Sequence, residues 1–167
     1  GTGGDTLTGG DGDDDFVVDG TNTGDITDFD FGDNRSDSNP QNVDQLDVTT
    51  FGFTGGVSGR TDDVHVQSDG GFSSDTEAAV VLDENTFDQA GVDSALAGIG
   101  GQTAADTEEV LVIWQDGLGN VKFGTDSDAS SDNTGSDVTQ LGTLDNEAGD
   151  LDITGIANTV DAGDFVF

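Results

Sequence analysis

The sequence predicts an all-β protein in which a short parallel β-roll leads into an antiparallel, sandwich-like cap with one or two short helices. Residues 1–33 are rich in Gly and Asp and carry single apolar residues at regular intervals, which favours tight turns alternating with short strands. From residue 43 onward, apolar runs separated by turn residues are typical of an ordinary β domain. Residues 34–42, which contain the single proline Pro40, read as a loop. The predicted division is therefore a roll at 1–33 and a cap at 34–167.

The amino end repeats a nonapeptide, Gly-Gly-x-Gly-x-Asp-x-apolar-x, that is typical of calcium-binding parallel β-helices. Residues 9–17 match every fixed position of this pattern. In the preceding nonapeptide the second, fourth, sixth and eighth places are held by Gly1, Gly3, Asp5 and Leu7. The glycines turn the chain and present carbonyl oxygens, the Asp adds a carboxylate, and the apolar residue starts a strand that fills the interior. Two matches in phase are stronger evidence than one.

This spacing predicts where calcium would bind. Each coil contains two nonapeptides, so turns on one side recur about every 18 residues, and calcium lies between stacked turns with about six oxygen ligands. The repeat decays after the second nonapeptide, so we expect one or two sites. The first is predicted from Gly1, Gly3 and Asp5 against Asn22, Gly24 and Asp25. The second is predicted from Gly10, Gly12 and Asp14 against Asp28, Asp30 and Asp33. The alternative interpretation is a Gly/Asp linker with fortuitous spacing.

The predicted cap contains several strands. Short apolar runs predict strands at Val43–Val48, Asp63–Val66 and Ala78–Leu82. The clearest hairpin joins Glu109–Gln115 to Asn120–Gly124 through the turn Asp116-Gly117-Leu118-Gly119.

The rest of the cap is predicted to hold one helix, one loop and a structured end. A helix is expected near Asp88–Ile99, where apolar residues recur at helical spacing: Val92, Ala95, Leu96 and Ile99. Residues 125–136 predict a polar Asp/Ser loop, either mobile or ordered by an ion. Residues 151–167 predict two short strands around residues 158–163, with Phe165 or Phe167 facing the core.

The charge of the chain excludes several functions. It carries 36 acidic residues against 3 basic ones, a formal net charge of −33, and nearly all of the acids are Asp. With only Arg35, Arg60 and Lys122 as cations, binding to nucleic acid or to an anionic membrane surface is not expected. No apolar run approaches the ~18 residues of a membrane helix, so membrane insertion is not expected. The chain has no Cys and therefore no disulfide or thiolate metal site.

The same charge makes order conditional. Low hydrophobicity with high charge is typical of disorder, but ten Phe and one Trp in short apolar runs favour a fold. Because unneutralised carboxylates repel one another, we expect the chain to expand without a cation and to fold when calcium binds. An acidic surface suited to a high-salt habitat is an alternative source of the charge, and it is compatible with calcium binding.

No residue pattern predicts catalysis, so the chain is not expected to be an enzyme. His65 is the single histidine, whereas a zinc protease or a Ser-His-Asp site needs more partners, and its alternating surroundings predict a strand residue. With so many Asp residues, close carboxylate pairs are expected by chance. Trp114 lies in the predicted hairpin and is interpreted as a packing residue.

The nonapeptides are followed by Gly24-Asp25-Ile26-Thr27-Asp28-Phe29 and then by Val43-Asp44-Gln45-Leu46-Asp47-Val48. This order resembles the C-terminal domain of repeats-in-toxin (hemolysin-type repeat) proteins, which occurs in serralysin-like proteases, alginate epimerase R-modules and adhesins. The final residues, Asp164-Phe165-Val166-Phe167, resemble the uncleaved signal read by type I secretion machinery. The resemblance implies a secreted, calcium-folded module. Residues 54–107 match no pattern of that family.

Two functions remain open at this point. One is a calcium-binding structural module, a subunit or end of an adhesin, surface layer or fibre, that folds on calcium after export. The other is a non-catalytic accessory or secretion module of a larger secreted enzyme such as a protease or polysaccharide epimerase. The expected partners are calcium ions, the type I secretion machinery, and copies of the chain or upstream repeats. Because the sequence begins within a repeat at Gly1, we expect the roll to continue upstream or in a neighbouring subunit. The expected location is extracellular or at the cell surface.

Overall fold

The computed structural model describes residues 4–20, 24–31, 44–51, 61–69, 71, 77–99, 109–127, 137–145, 152–160 and 162–167. Within them the chain is mostly β. The strands are β1 (Asp5–Leu7), β2 (Asp15–Val17), β3 (Gly24–Ile26), β4 (Gln45–Asp47), β5 (Thr61–Val66), β6 (Glu77–Thr86), β7 (Val110–Gln115), β8 (Val121–Asp126), β9 (Val138–Leu144) and β10 (Phe165–Val166). The helices are α1 (Gln89–Gly98) and α2 (Ile153–Thr159), and short 3-10 turns lie at Thr49–Phe51, Gln67–Asp69 and Ala162–Asp164. The predicted loop at 34–42 lies outside the described residues.

The strands form two sheets. The larger has seven strands in the order β1-β3-β9-β8-β7-β6-β5, and the smaller has three in the order β10-β4-β2. Parallel pairing dominates: among the described strands, only the β7/β8 and β8/β9 pairs are antiparallel.

The first four strands alternate between the two sheets. β1 and β3 pair in parallel in the larger sheet, and β2 and β4 pair in parallel in the smaller one. Strands β2, β3 and β4 each bury one apolar side chain, which are Phe16, Ile26 and Leu46 respectively. The other apolar residue of β2, Val17, is 55% exposed. Because successive side chains of a strand point to opposite faces, one apolar residue per short strand is enough to anchor it. These three side chains share one core with residues from both sheets.

The prediction of an antiparallel cap was wrong for several pairs of its described strands, including β4 with β10. β5 pairs with β6 in parallel, and β6 pairs with β7 in parallel. For β6 and β7, the physical reason is the predicted helix itself. Parallel neighbours need a long crossover connection, and α1 supplies it between β6 and β7. The hairpin β7/β8 is antiparallel as predicted, with Asp116 N bonded to Asn120 O at 2.9 Å across the turn.

The central strands are covered on both faces, which explains their continuous apolar sequence. In β6, Ala79 and Val81 belong to the core shared with the smaller sheet. The alternate residues Val80 and Leu82 belong to a second core beneath α1, which also contains Trp114. Strands buried on both sides read as apolar runs rather than as an alternation.

The carboxyl end differs from the prediction of two strands. Residues Ile153–Thr159 form α2, capped by the side chain of Asp152, which accepts a bond from Gly155 N at 2.7 Å. Its buried side chains, Ile153, Ile156 and Ala157, fall at helical spacing. The second predicted strand is present as β10, which pairs in parallel with β4 and buries Phe165.

The predicted polar loop at 125–136 also needs correction at its start. Thr125 and Asp126 end β8 and are buried, while residues 128–136 lie outside the described part of the chain. Within the described residues, no helix has the length and apolarity needed to cross a membrane.

Candidate metal centre

The second nonapeptide forms the turn that its glycines predict. Gly10 and Gly12 have φ values of +96° and +128°, a region of backbone space that glycine enters without steric cost. The chain then enters β2 at Asp15, with Phe16 buried and Asp13 exposed. The Gly-Gly-x-Gly half of the repeat is therefore a turn, and the apolar half is a strand.

This turn lies against the turn that follows β3. Both carboxylate oxygens of Asp28 accept backbone N–H bonds, from Gly9 at 3.0 Å and from Gly10 at 2.8 Å. Next to them, the hydroxyls of Thr8 and Thr27, 19 residues apart, are bonded at 2.9 Å. The predicted partners Gly10 and Asp28 are thus in direct contact. The separation of 18 to 19 residues between bonded partners is close to the predicted coil length.

Asp44 ties the other two predicted carboxylate positions together. Its side chain is buried and accepts bonds from the backbone N–H of Asp14 at 3.1 Å and of Asp30 at 3.0 Å. Backbone hydrogen bonds join the same segments, since Asp44 N donates to Asp30 O and Gln45 N donates to Asp14 O. Sequence reasoning placed Asp44 in a strand and missed its role as a link between turns.

The electrostatics of this region favour a positive partner. Burial raises the pKa of Asp44 above its ordinary value, and the carboxylates of Asp14 and Asp28 push it in the same direction. The two backbone N–H bonds to Asp44 lower the pKa and offset part of that rise. Nearby, Oδ2 of Asp14 is buried and has no hydrogen-bond partner. A Cβ at Gly9 would come within 2.5 Å of that oxygen, so any larger residue there would require Asp14 to shift.

The first predicted site is described only in part. Asp5 lies opposite Gly24 in the β1/β3 pair, and a side chain at Gly24 would come within 2.7 Å of the carbonyl oxygen of Asp5. The side chains of Asp5 and Asp25 are exposed. Three other ligands predicted for this site lie outside the described residues: Gly1, Gly3 and Asn22. Asp33, predicted for the second site, also lies outside them.

A different acidic group lies in the larger sheet. In the described part of the chain, one set of three carboxylates has ligand atoms within 4.8 Å of one another and could hold a metal ion: Asp93, Asp126 and Asp137. Asp126 is fully buried, Asp93 is 3% exposed, and Asp137 is partly buried. Among the described residues, the carboxylates predicted at the amino end do not form such a set by themselves. The two predicted sites, which also use carbonyl oxygens, stay predictions.

Asp93 sits in an unfavourable environment for a charge. Neither of its carboxylate oxygens has a hydrogen-bond partner, and Oδ1 of Asp137 also has none. Burial raises the pKa of Asp93, and the carboxylate of Asp137 raises it further. The backbone of Val138 lies close to Asp93 and offsets part of this rise in its pKa, although the contact does not have the geometry of a hydrogen bond.

Sequence reasoning missed this group for an identifiable reason. Asp126 fell in the polar loop predicted over 125–136, Asp137 fell directly after that loop, and Asp93 fell in the predicted helix. The available indication was the helix pattern, because Asp93 follows Val92 and lies three residues before Leu96, at the edge of the apolar face. A carboxylate at that position is buried once the helix packs.

The two side chains considered for other chemistry have structural positions. His65 lies in β5, as predicted, and is buried. Trp114 is 1% exposed and packs in the core beneath α1, in agreement with its interpretation as a packing residue.

Comparison with known proteins adds no family to these observations. No protein-family model, no curated protein and no solved structure matches this chain.

Proposed function

We propose that this chain is a calcium-binding extracellular structural module, a subunit or end of an adhesin, surface layer or fibre, that folds on calcium after export. The observation that carries the proposal is the stack of turns at the amino end. The turn containing Gly10 and Gly12 lies on the turn containing Asp28, above strands that pair in parallel. In this interpretation the first four strands make up two coils of a short parallel β-roll of the repeats-in-toxin type.

The residues present fit a calcium ion between the turns. Asp14, Asp28 and Asp30 would supply carboxylate oxygens, and the carbonyl groups of Gly10 and Gly12 would supply neutral ones. The fit rests on the buried Oδ2 of Asp14, which has no hydrogen-bond partner. It also rests on the carboxylates of Asp14 and Asp28, which lie close enough to Asp44 to raise its pKa. A bound calcium ion supplies the positive charge that such a cluster of buried and half-buried carboxylates needs.

The ligand chemistry favours calcium over other metals. Ca²⁺ accepts six to eight oxygen ligands in flexible geometry, which suits a mixture of loop carbonyls and carboxylates. Mg²⁺ demands a tight octahedral arrangement and keeps its waters, and softer metals prefer imidazole and thiolate ligands. The chain has one His and no Cys.

The net charge couples this binding to folding. With a formal net charge of −33, the acidic side chains of the metal-free chain repel one another. Low calcium inside a cell would keep the amino end open for transport, and high calcium outside would close it. The carboxyl-terminal strand β10 would then join β4 in the smaller sheet.

The test is a calcium titration followed by far-UV circular dichroism and calorimetry. We expect strand content to rise with calcium and to respond little to magnesium. Asp14→Asn should raise the calcium dissociation constant at least tenfold, because it removes a charged ligand without changing the shape of the side chain, and tenfold corresponds to about 1.4 kcal/mol. The matched control is Asp13→Asn, since Asp13 is an exposed neighbour outside the consensus ligand position.

Equal affinity in the Asp14 and Asp13 variants would contradict the assignment of the ligand position. Identical spectra in chelator and in calcium would refute calcium-dependent folding altogether.

A further inference from the structure

We propose that Asp93, Asp126 and Asp137 form a second calcium site, separate from the amino-end turns, that fastens helix α1 to the edge where β8 ends and β9 begins. The inference stands on the geometry of the larger sheet and does not depend on the proposed function.

The three carboxylates meet because of strand register and helix packing. β8 and β9 are antiparallel, and Asp126 lies opposite Val138, so Asp137 is brought beside the end of β8. The start of α1 is held at the same place, since Gln89 Nε2 donates to the carbonyl oxygen of Val138 at 2.5 Å. Asp93 follows Gln89 by four residues and therefore lies on the same side of the helix. Three different elements thus direct acids to one point.

The side chain of Asp93 is the second, independent observation. It is 3% exposed, and neither carboxylate oxygen has a hydrogen-bond partner. A buried charge is tolerated in proteins when it is paired or bound to a metal, and an unpaired one is strongly destabilising. Lys122, the basic residue in the described part of the chain, contacts Thr143 and Asp116 instead. Among the described residues no Lys or Arg pairs with Asp93, and a cation from solution would supply the missing positive charge.

The donor set identifies the class of ion. All three ligands are carboxylates, with no imidazole or thiolate, which selects a hard cation. Between the two common hard divalent ions, a buried site with three protein carboxylates requires extensive loss of water from the ion. Mg²⁺ loses its waters reluctantly and Ca²⁺ does so readily, so calcium is the occupant we assign.

Such an ion would hold α1, the crossover connection between β6 and β7, against the larger sheet. α1 is the connection that allows these two strands to lie in parallel, and its apolar side chains Val92 and Leu96 cover the second core. An ion that joins Asp93 to Asp126 and Asp137 would hold this helix on the sheet. Calcium would then stabilise the larger sheet as well as the amino-end turns.

The experiment uses the full chain and terbium as a calcium probe. The sequence has one Trp and no Tyr, so terbium emission excited through tryptophan reports ions near Trp114. Trp114 shares a core with Val92 and Val138, the chain neighbours of Asp93 and Asp137. We expect Asp93→Asn and Asp137→Asn each to reduce this emission at least tenfold and to lower the calcium stoichiometry by one. Glu84→Gln, at an exposed carboxylate of β6, is the control and should change neither.

A second measurement separates ion binding from a structural role. In chelator, Asp93→Asn should melt at a temperature equal to or above that of the unmodified chain, because it removes an uncompensated buried charge. In calcium it should melt lower. A variant that melts lower by the same amount in both conditions, with unchanged stoichiometry, overturns the proposal. If Asp93→Asn does not fold, the partly buried Asp137→Asn decides the same question.

The two proposals fail separately. Asp14→Asn should leave the terbium emission through Trp114 intact while weakening the calcium response of the amino end. Loss of that emission in Asp14→Asn but not in Asp93→Asn would assign the ion to the turns and overturn the second site.

Discussion

Replacement of Phe165 by Ala tests whether the last strand is a structural part of the smaller sheet. Phe165 is 5% exposed and lies opposite Leu46 of β4. The strand is also held by Val48 N, which donates to the carbonyl oxygen of Val166 at 2.8 Å. Truncation of a buried Phe to Ala costs about 3–5 kcal/mol, from lost burial and from the cavity that remains. Because β10 lies at a sheet edge and can relax, we expect about 3 kcal/mol.

That loss is large compared with the total stability of a domain, which is about 5–15 kcal/mol. The assay is urea unfolding at saturating calcium, followed by circular dichroism, with the midpoint and the slope compared between variants. The matched control is Leu118→Ala, an apolar truncation at a side chain that is 89% exposed in the β7/β8 turn. The control should change the free energy of unfolding by less than about 0.5 kcal/mol. If Phe165→Ala shifted the midpoint no more than Leu118→Ala, the packing of the carboxyl end described above would be refuted.

Two further predictions concern the larger sheet. Asp116→Ala should cost about 1–2 kcal/mol at neutral pH, because the carboxylate accepts bonds from Leu118 N and from Asn120. Burial raises the pKa of Asp116, but these bonds and the charge of Lys122 outweigh it and lower the pKa overall. The stabilisation by Asp116 is therefore present at pH values above the ordinary pKa of Asp and is lost as the pH falls through the lowered pKa. Urea melts of the Asp116→Ala variant and the unmodified chain should converge between pH 7 and pH 3, and a constant difference would contradict this. Gly142→Ala should destabilise the chain by about 1–3 kcal/mol, because a side chain there would overlap the carbonyl oxygen of Gly24 and the ring of Phe123. The control is Gly98→Ala in α1, where an added side chain meets open space, and it should be neutral or stabilising by up to about 1 kcal/mol. Thermal melts measure both variants, and a Gly142→Ala chain more stable than the Gly98→Ala chain would disprove the β3/β9 register.

Elements defined by local pattern were predictable from the sequence. The hairpin β7/β8 follows from two apolar runs around a Gly-rich turn, and α1 follows from the spacing of Val92, Leu96 and their neighbours. The turn at Gly10 follows from the nonapeptide alone. α2 was also within reach, since Ile153, Ile156 and Val160 carry a helical period that the Gly and Asn residues around them obscure.

Features set by long-range pairing were not predictable in this way. The pairing of β3 with β9 joins strands from opposite ends of the sequence, and no local pattern specifies it. The same is true of the Asp93, Asp126 and Asp137 group, which depends on the β8/β9 register and on the placement of α1. Among so many acids, sequence spacing alone does not distinguish three that converge from those that remain in solvent.

The smaller sheet has a consequence for the order of folding. Its middle strand, β4, is flanked by β2 from the beginning of the chain and by β10 from its end. Gln45 Nε2 donates to the carbonyl oxygen of Gly163 across 118 residues of sequence. Contacts of such high sequence separation form slowly, because the chain loses the entropy of closing a long loop before the contact compensates for it. A growing chain that has not yet been synthesised as far as Phe165 therefore cannot complete this sheet, and until then β4 has only β2 as a neighbouring strand.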